Sequence, residues 1–347
     1  MSTQFIKSLS PSPIIIDVHH HITPDVFLDK YKNFKVERDP SLPPVRKNAP
    51  LMDGKMPHVS IDTTLEFMER NGVTFAVTSI TADESNYHQP LESEKEYFQA
   101  CNDYQMNLVK EHPDKFGAFL NFPLSTVDAA IESIRDLDTR YGDLPVDGFL
   151  LPAEFKGLFL GDDHFIPIYE ELNKRDNVVI FTHPTTRPHT LKGQSSTIHP
   201  CVLEFMVMTA RTITTLLLND VFKRFPNIKW IFPHMGGVFP YIAHRYEMYG
   251  ICDDMFEELW KYKNVYFDAA GSLSTSQWEG TRIKPEQLLA GSDAPYQHFP
   301  YKGTNKWISE YNIDIVRNMH NVCYENAFNL FPRLKAKFEN NLPNFYK

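Results

Sequence analysis

Ile14-Ile15-Ile16-Asp17-Val18-His19-His20-His21 is the stretch on which the reading of this chain turns: a β-branched apolar run that ends in three imidazoles. The run predicts a strand over 14–18. On an extended chain residues two apart share a face, so His19 and His21 point one way and His20 the other. Two imidazoles on one face near a strand's end form half a site for a divalent cation. The plainer alternative is a polar strand end whose histidines are satisfied by water or backbone.

Outward from this stretch, short β-branched runs alternate with longer segments of helical periodicity, the pattern of a parallel sheet built from βα units. Strands are expected at 14–18, 75–79, 116–120, 146–150, 178–181, 229–232, 265–268 and 287–291. Eight is the number that closes a (β/α)8 TIM barrel, so an α/β barrel domain over 1–347 is the expected fold. Helices are expected at 62–71, 94–111, 127–140, 166–174, 201–224 and 236–249, with a pair after residue 306. One stretch breaks the rhythm. Residues 30–61 carry Pro40, Pro43, Pro44, Pro50 and Pro57 with little periodicity. This is read as an insertion after the first strand, either a lid over the barrel mouth or a surface loop without a role.

Three more strands end in side chains able to hold a metal. Val178-Val179-Ile180-Phe181-Thr182 runs into His183, and Pro184 then stops the strand. Lys229-Trp230-Ile231-Phe232 leads to Pro233-His234-Met235-Gly236-Gly237, whose glycines would allow close backbone approach to a ligand. Leu288-Leu289-Ala290-Gly291-Ser292 ends at Asp293. A lone His or Asp after a strand is ordinarily a cap or turn residue. In a parallel barrel, however, all strand C-termini meet at one mouth. The ends of strands one, five, six and eight then gather His19, His21, His183, His234 and Asp293 in one cavity. Three neutral imidazoles and a carboxylate suit Zn2+ or a similar ion, with a position left open for water or substrate.

Composition narrows the class further. The formal charge of -9, with acidic and basic residues interspersed, argues against a nucleic-acid surface. The four cysteines (Cys101, Cys201, Cys252 and Cys323) are far apart and form no C-x-x-C pair, so free thiols fit better than a disulfide framework. The apolar run 14–16 is too short for a signal-peptide core, and no later stretch could span a bilayer. The expectation is a soluble cytoplasmic protein without a membrane partner.

Taken together, these motifs resemble the amidohydrolase superfamily, and within it the branch of aminocarboxymuconate-semialdehyde and 6-methylsalicylate-type decarboxylases. The resemblance runs along nearly the whole chain. It rests on Asp17-Val18-His19-His20-His21-Ile22-Thr23-Pro24, Thr182-His183-Pro184, and the helical stretch 204–224 leading to Phe225-Pro226. It continues through His234-Met235-Gly236-Gly237-Val238-Phe239-Pro240, Tyr266-Phe267-Asp268 and Gly291-Ser292-Asp293-Ala294-Pro295-Tyr296. It implies that His19, His21, His183 and Asp293 hold one divalent ion, Zn2+ or Mn2+. It makes His234 the acid/base that works on metal-activated water, with Asp293 assisting. It also implies that Arg245 meets the carboxylate of a small-molecule acid in the neighbouring subunit of a homodimer.

Two departures stand out. The segment after the first strand lacks the aromatic and arginine pattern of the aminocarboxymuconate enzyme, so another substrate is expected. The fourth strand has no lysine at its end before Lys156, so one metal is expected rather than two. The implied reaction is loss of CO2 from an aromatic or unsaturated cyclic acid. Hydrolysis of a lactone or amide by the same site is the second reading, and a non-catalytic metal-binding barrel the third.

Overall fold

The computed structural model describes residues 14–24, 60–81, 91–185, 200–271, 281–296 and 320–339. Eight parallel strands form one sheet in the order β1 (Ile16–His21), β2 (Phe75–Ser79), β3 (Phe116–Leu120), β4 (Gly148–Pro152), β7 (Val178–His183), β8 (Ile228–Phe232), β9 (Val265–Asp268) and β10 (Leu288–Leu289). A small hairpin, β5 (Glu154–Phe155) with β6 (Leu158–Phe159), follows β4. The ring closes beyond β10: Val18 N–H donates to the Ala290 carbonyl, Asp293 N–H to that of His19, and His21 N–H to that of Ala294. This is the TIM barrel expected from the strand rhythm, and its closing seam runs between two of the segments that carry the candidate ligands.

Strand alternation sorts the core into two layers. Phe75, Val77, Phe119, Leu150, Val179, Phe181, Ile231 and Leu289 fill the barrel interior. Ala76, Ala118, Phe149, Ile180, Trp230 and Phe232 face the surrounding helices. Trp230 is fully buried in that wall between Tyr169, Phe222 and Phe232. The bottom of the interior is plugged by Tyr324, Phe328, Phe331 and Leu334 from the C-terminal helices. Arg333 ties that plug to the barrel through a two-pronged pair with buried Asp147, at 2.6 and 2.7 Å.

The helices around the sheet, among the described residues, include α1 (Ile61–Asn71), α2 (Leu91–Glu111), α3 (Val127–Tyr141), α4 (Ile166–Leu172), α5 (Glu204–Leu218), α6 (Val221–Arg224) and α7 (Phe239–Met248). Local chemistry sets several ends. The Ser60 hydroxyl accepts from Thr63 N–H at the start of α1, and Gly72 closes that helix at φ 68.

Several boundaries differ from expectation. The first strand runs on to His21, so its histidines lie within the sheet. The last is only two residues long by its pairing with β9. The helix expected over 201–224 is broken where Asp220 takes a left-handed φ of 57. The one expected from 236 begins at Phe239, because His234 to Gly237 all have positive φ. The glycines there admit the protein's own chain, not a ligand: a Cβ on Gly237 would meet the Met206 carbonyl oxygen at 2.1 Å, and one on Gly236 the Phe267 ring at 2.8 Å. Of the expected insertion, 30–59 lies outside the described residues, while Ser60 and Ile61 belong to the start of α1.

Candidate metal centre

Inward-facing parity delivers most of the site. Val179 and Phe181 line the interior, and His183 extends the same face to the barrel mouth. Tyr266 does the same for Asp268, and Leu289 for Asp293. The first strand reaches its orientation differently. Its register with β2 pairs Ile16 with Phe75, Asp17 with Ala76, His20 with Thr78 and His21 with Ser79. Val18 and His19 therefore stand together opposite Val77, a β-bulge of one extra residue. Continued alternation from Ile14, Ile16 and Val18 would have sent His20 inward. The bulge reverses the parity: His19 and His21 enter the mouth, and His20 turns out against Phe67 of α1.

All five side chains gathered by the sequence reading meet there and are buried. His19 Nε2 and His21 Nε2 are 3.0 Å apart, and each lies 3.3 Å from Asp293 Oδ1. The other Asp293 oxygen faces His234 Nε2 at 3.5 Å. Donor atoms of His19, His183, His234 and Asp293 all fall within 4.8 Å of one another. Arg245 does not join them within this chain: it is exposed on α7, with its guanidinium 5.6 Å from the Tyr249 ring centroid.

Outer contacts set how each imidazole presents itself. His19 Nδ1 is 2.9 Å from Asp268 Oδ2, and His183 Nδ1 donates to the Pro184 carbonyl at 2.8 Å. His21 Nδ1 lies 2.8 Å from the Ser79 hydroxyl, which itself donates to the His20 carbonyl. With Nδ1 protonated in each ring, all three Nε2 lone pairs converge on the mouth. Lone pairs 3.0 Å apart repel unless a positive charge lies between them. His183 Nε2 is moreover buried without a hydrogen-bond partner. The residues present fit a divalent cation.

The electrostatics demand the same charge. Burial alone would lower the His19 imidazole, but the Asp268 and Asp293 carboxylates outweigh it and hold it up at about 10. Burial brings His21 down to about 4 and keeps His183 well below the usual histidine range, where the neighbouring imidazoles add to the effect. Burial opposes ionisation of Asp293, yet His19, His21 and His234 together hold it well below the usual carboxylate range. One positive charge among the imidazoles satisfies both acids, and a cation would take the place of that proton.

Two of the five residues sit on left-handed backbone, His234 at φ 54 and Asp293 at φ 58. Such strain is held in place by surrounding bonds. Asp268 supplies one of them, its Oδ1 accepting from His234 N–H at 3.0 Å while its Oδ2 meets His19. Its role was not read from the sequence, although its inward parity behind Tyr266 was visible there. Ser79, two residues after inward Val77, carried the same signal. Tyr296 also borders the site, its ring 5.1 Å from His21 and its hydroxyl 3.4 Å from Thr81 Oγ1; burial pushes its phenol above the usual range. Arg187, His189, His199, His298 and Phe299-Pro300-Tyr301 lie outside the described residues. His244 is exposed on α7.

Comparison with known proteins agrees with this architecture. "Decarboxylase macB" of Penicillium terrestre is 27% identical over 93% of this chain and 96% of its own length. "6-Methylsalicylic acid decarboxylase acuB" of Aspergillus aculeatus is 25% identical over 94% and 99%. Among solved structures, a dihydroxybenzoic acid decarboxylase from Polaromonas sp. JS666, with bound manganese and the inhibitor 2-nitroresorcinol, superposes with a TM-score of 0.72. It is 18% identical and covers 92% of this chain and 97% of its own. The family model described as Amidohydrolase matches residues 16–333, so the barrel that brings these histidines and Asp293 together belongs to the amidohydrolase family.

Proposed function

We propose that this protein is a metal-dependent decarboxylase, a carbon–carbon lyase that removes CO2 from an aromatic or unsaturated cyclic carboxylic acid. The observation that carries the reading is the convergence of buried His19, His21, His183, His234 and Asp293 on one mouth, in a chain whose full-length relatives are named decarboxylases. His19, His21, His183 and Asp293 would hold the ion. Zn2+ suits imidazole and carboxylate donors, and Mn2+ is the metal named for the Polaromonas enzyme.

A divalent ion held there supplies a fixed positive charge that anchors the substrate's carboxylate or a neighbouring oxygen and polarises bound water. The chain's own residues do the rest. His234 Nε2, facing Asp293 Oδ2 at 3.5 Å, forms with it a pair through which a proton can move. Delivered to the ring carbon that bears the carboxylate, the proton forms a new C–H bond. The C–C bond then breaks, its electron pair returns to the ring, and CO2 leaves. Burial of the cluster keeps competing water away and strengthens each charge interaction. Asp268, Ser79 and the Pro184 carbonyl keep the rings turned.

The test combines metal analysis with product analysis. Purified wild type is expected to carry one ion per chain and to release CO2 from a member of a hydroxylated benzoate panel. His183→Ala and His21→Ala should lose the ion. His234→Asn should keep it and lose turnover by at least about 100-fold. Equal metal content in wild type and His183→Ala would remove the ligand assignment. Ring opening of lactones without CO2 release would favour the hydrolase reading. A metal-loaded protein inert toward both panels would favour the non-catalytic one.

We further infer a homodimer in which Arg245 binds the substrate carboxylate of the partner's site. Its exposure on α7, beside exposed Tyr241, Met248 and Tyr249, supports this reading.

A further inference from the structure

The bulge that turns His19 and His21 inward leaves His19 N–H without a ladder partner on β2, and the side chain that takes it up is Asp17. Its Oδ1 accepts from His19 N–H at 3.1 Å and from Ser292 N–H at 3.0 Å, and its Oδ2 lies 3.0 Å from His20 Nδ1. The carboxylate is buried and sits outside the ligand cluster, on the far side of β1. Ser292 completes the link: its hydroxyl donates to the His19 carbonyl at 3.2 Å and accepts from Ala294 N–H at 3.0 Å. Asp293 lies between these anchors at φ 58, in the left-handed region.

We propose that Asp17 is a positioning residue that pins the β1 bulge and the Asp293 turn to each other, and so sets the distance between His19 and Asp293 in the metal centre. The proposal rests on the metal-site reading above. Without Asp17, two buried N–H groups lose their acceptor and the bulge loses its reason to persist. The strand can then relax to regular alternation, which points His20 where His19 belongs. The Asp293 turn, freed of the Ser292 N–H bond, can relax its left-handed φ and withdraw its carboxylate.

The experiment measures Co2+ affinity by chelator competition and the visible Co2+ spectrum, alongside circular dichroism and Tm. Asp17→Ala is expected to weaken Co2+ binding about 10- to 100-fold and to change the spectrum in a protein that remains folded. Asp17→Asn keeps one oxygen acceptor and should weaken binding less. In an Asp293→Ala background the further effect of Asp17→Ala should shrink severalfold, because the two act on one geometry. A folded Asp17→Ala with wild-type affinity and spectrum overturns the proposal. Should Asp17→Ala fail to fold, Asp17→Leu, which fills the same space with no acceptor for the His19 and Ser292 N–H groups, takes its place, and wild-type affinity and spectrum in that variant overturn the proposal equally. A wild type that binds no metal would instead overturn the site reading, a different result.

Discussion

His19 shows how much one carboxylate decides at the scale of a residue. Its Nδ1 faces Asp268, which frees Nε2 to face the mouth. In Asp268→Asn an amide N–H facing Nδ1 would force the other tautomer, moving the proton to Nε2 and removing the donor lone pair. Metal affinity should fall about 10- to 100-fold with little change in Tm, as read by chelator competition and thermal unfolding. Unchanged affinity would mean that Asp268 serves only the backbone turn at His234. Gly291 belongs to the same design: a Cβ there would stand 2.9 Å from His19 Cβ and 3.1 Å from Asp268 Cβ, so only glycine lets the closing segment pass behind the pair. His19, His21, His183, His234 and Asp293 were legible in the sequence because each ends an apolar run. Asp268, Ser79 and Asp17 were not singled out, because nothing along the chain says which polar residue will face which imidazole.

At the scale of elements, the helices are held to one another by ion pairs on the outer ring. Arg135 of α3 grips Glu171 of α4 with two hydrogen bonds, at 2.6 and 2.8 Å, and Lys174 adds a third contact. Hydrogen bonding from Arg135, then from Lys174, lowers the Glu171 carboxyl from 4.5 to about 2. A depressed carboxyl contributes stability that is present above about pH 4.5 and is lost as pH falls toward 2. Arg135 is largely exposed, so solvent screening keeps the contribution small. Glu171→Gln should therefore be slightly less stable than wild type at pH 7, with the gap narrowing between pH 4.5 and 3 in urea unfolding. A gap that widens on acidification would contradict the assignment. The elements themselves were largely visible from hydrophobic periodicity. The two misplaced helix boundaries fell where backbone took positive φ, at Asp220 and from His234 to Gly237, which periodicity does not encode.

For the whole molecule, the open question is how many copies make one working site. Arg245 lies on the outer face of α7, and neighbouring α5 and the segment after α7 expose Leu218 and Ile251. Light scattering is expected to give twice the chain mass. Arg245→Ala should raise KM about tenfold while metal content stays at wild type. A monomeric, fully active protein would sever Arg245 from the site. The closed ring also separates tasks by end: the C-terminal helices and the Asp147–Arg333 pair seal the bottom, which leaves the mouth free to concentrate charge.

The sequence alone determined the barrel, through eight apolar runs spaced by helical segments, and with it the meeting of four distant strand ends at one mouth. The H-x-H spacing placed His19 and His21 on one face and His20 on the other, but alternation along the strand does not fix which of the two faces is inward. Alternation counted from Ile14 selects His20, and alternation counted between the histidines leaves either face open. Only the tertiary structure resolves this, because the His19 N–H freed by the bulge is taken up by the Asp17 carboxylate, and Ser292 N–H from the far end of the chain holds that carboxylate in place.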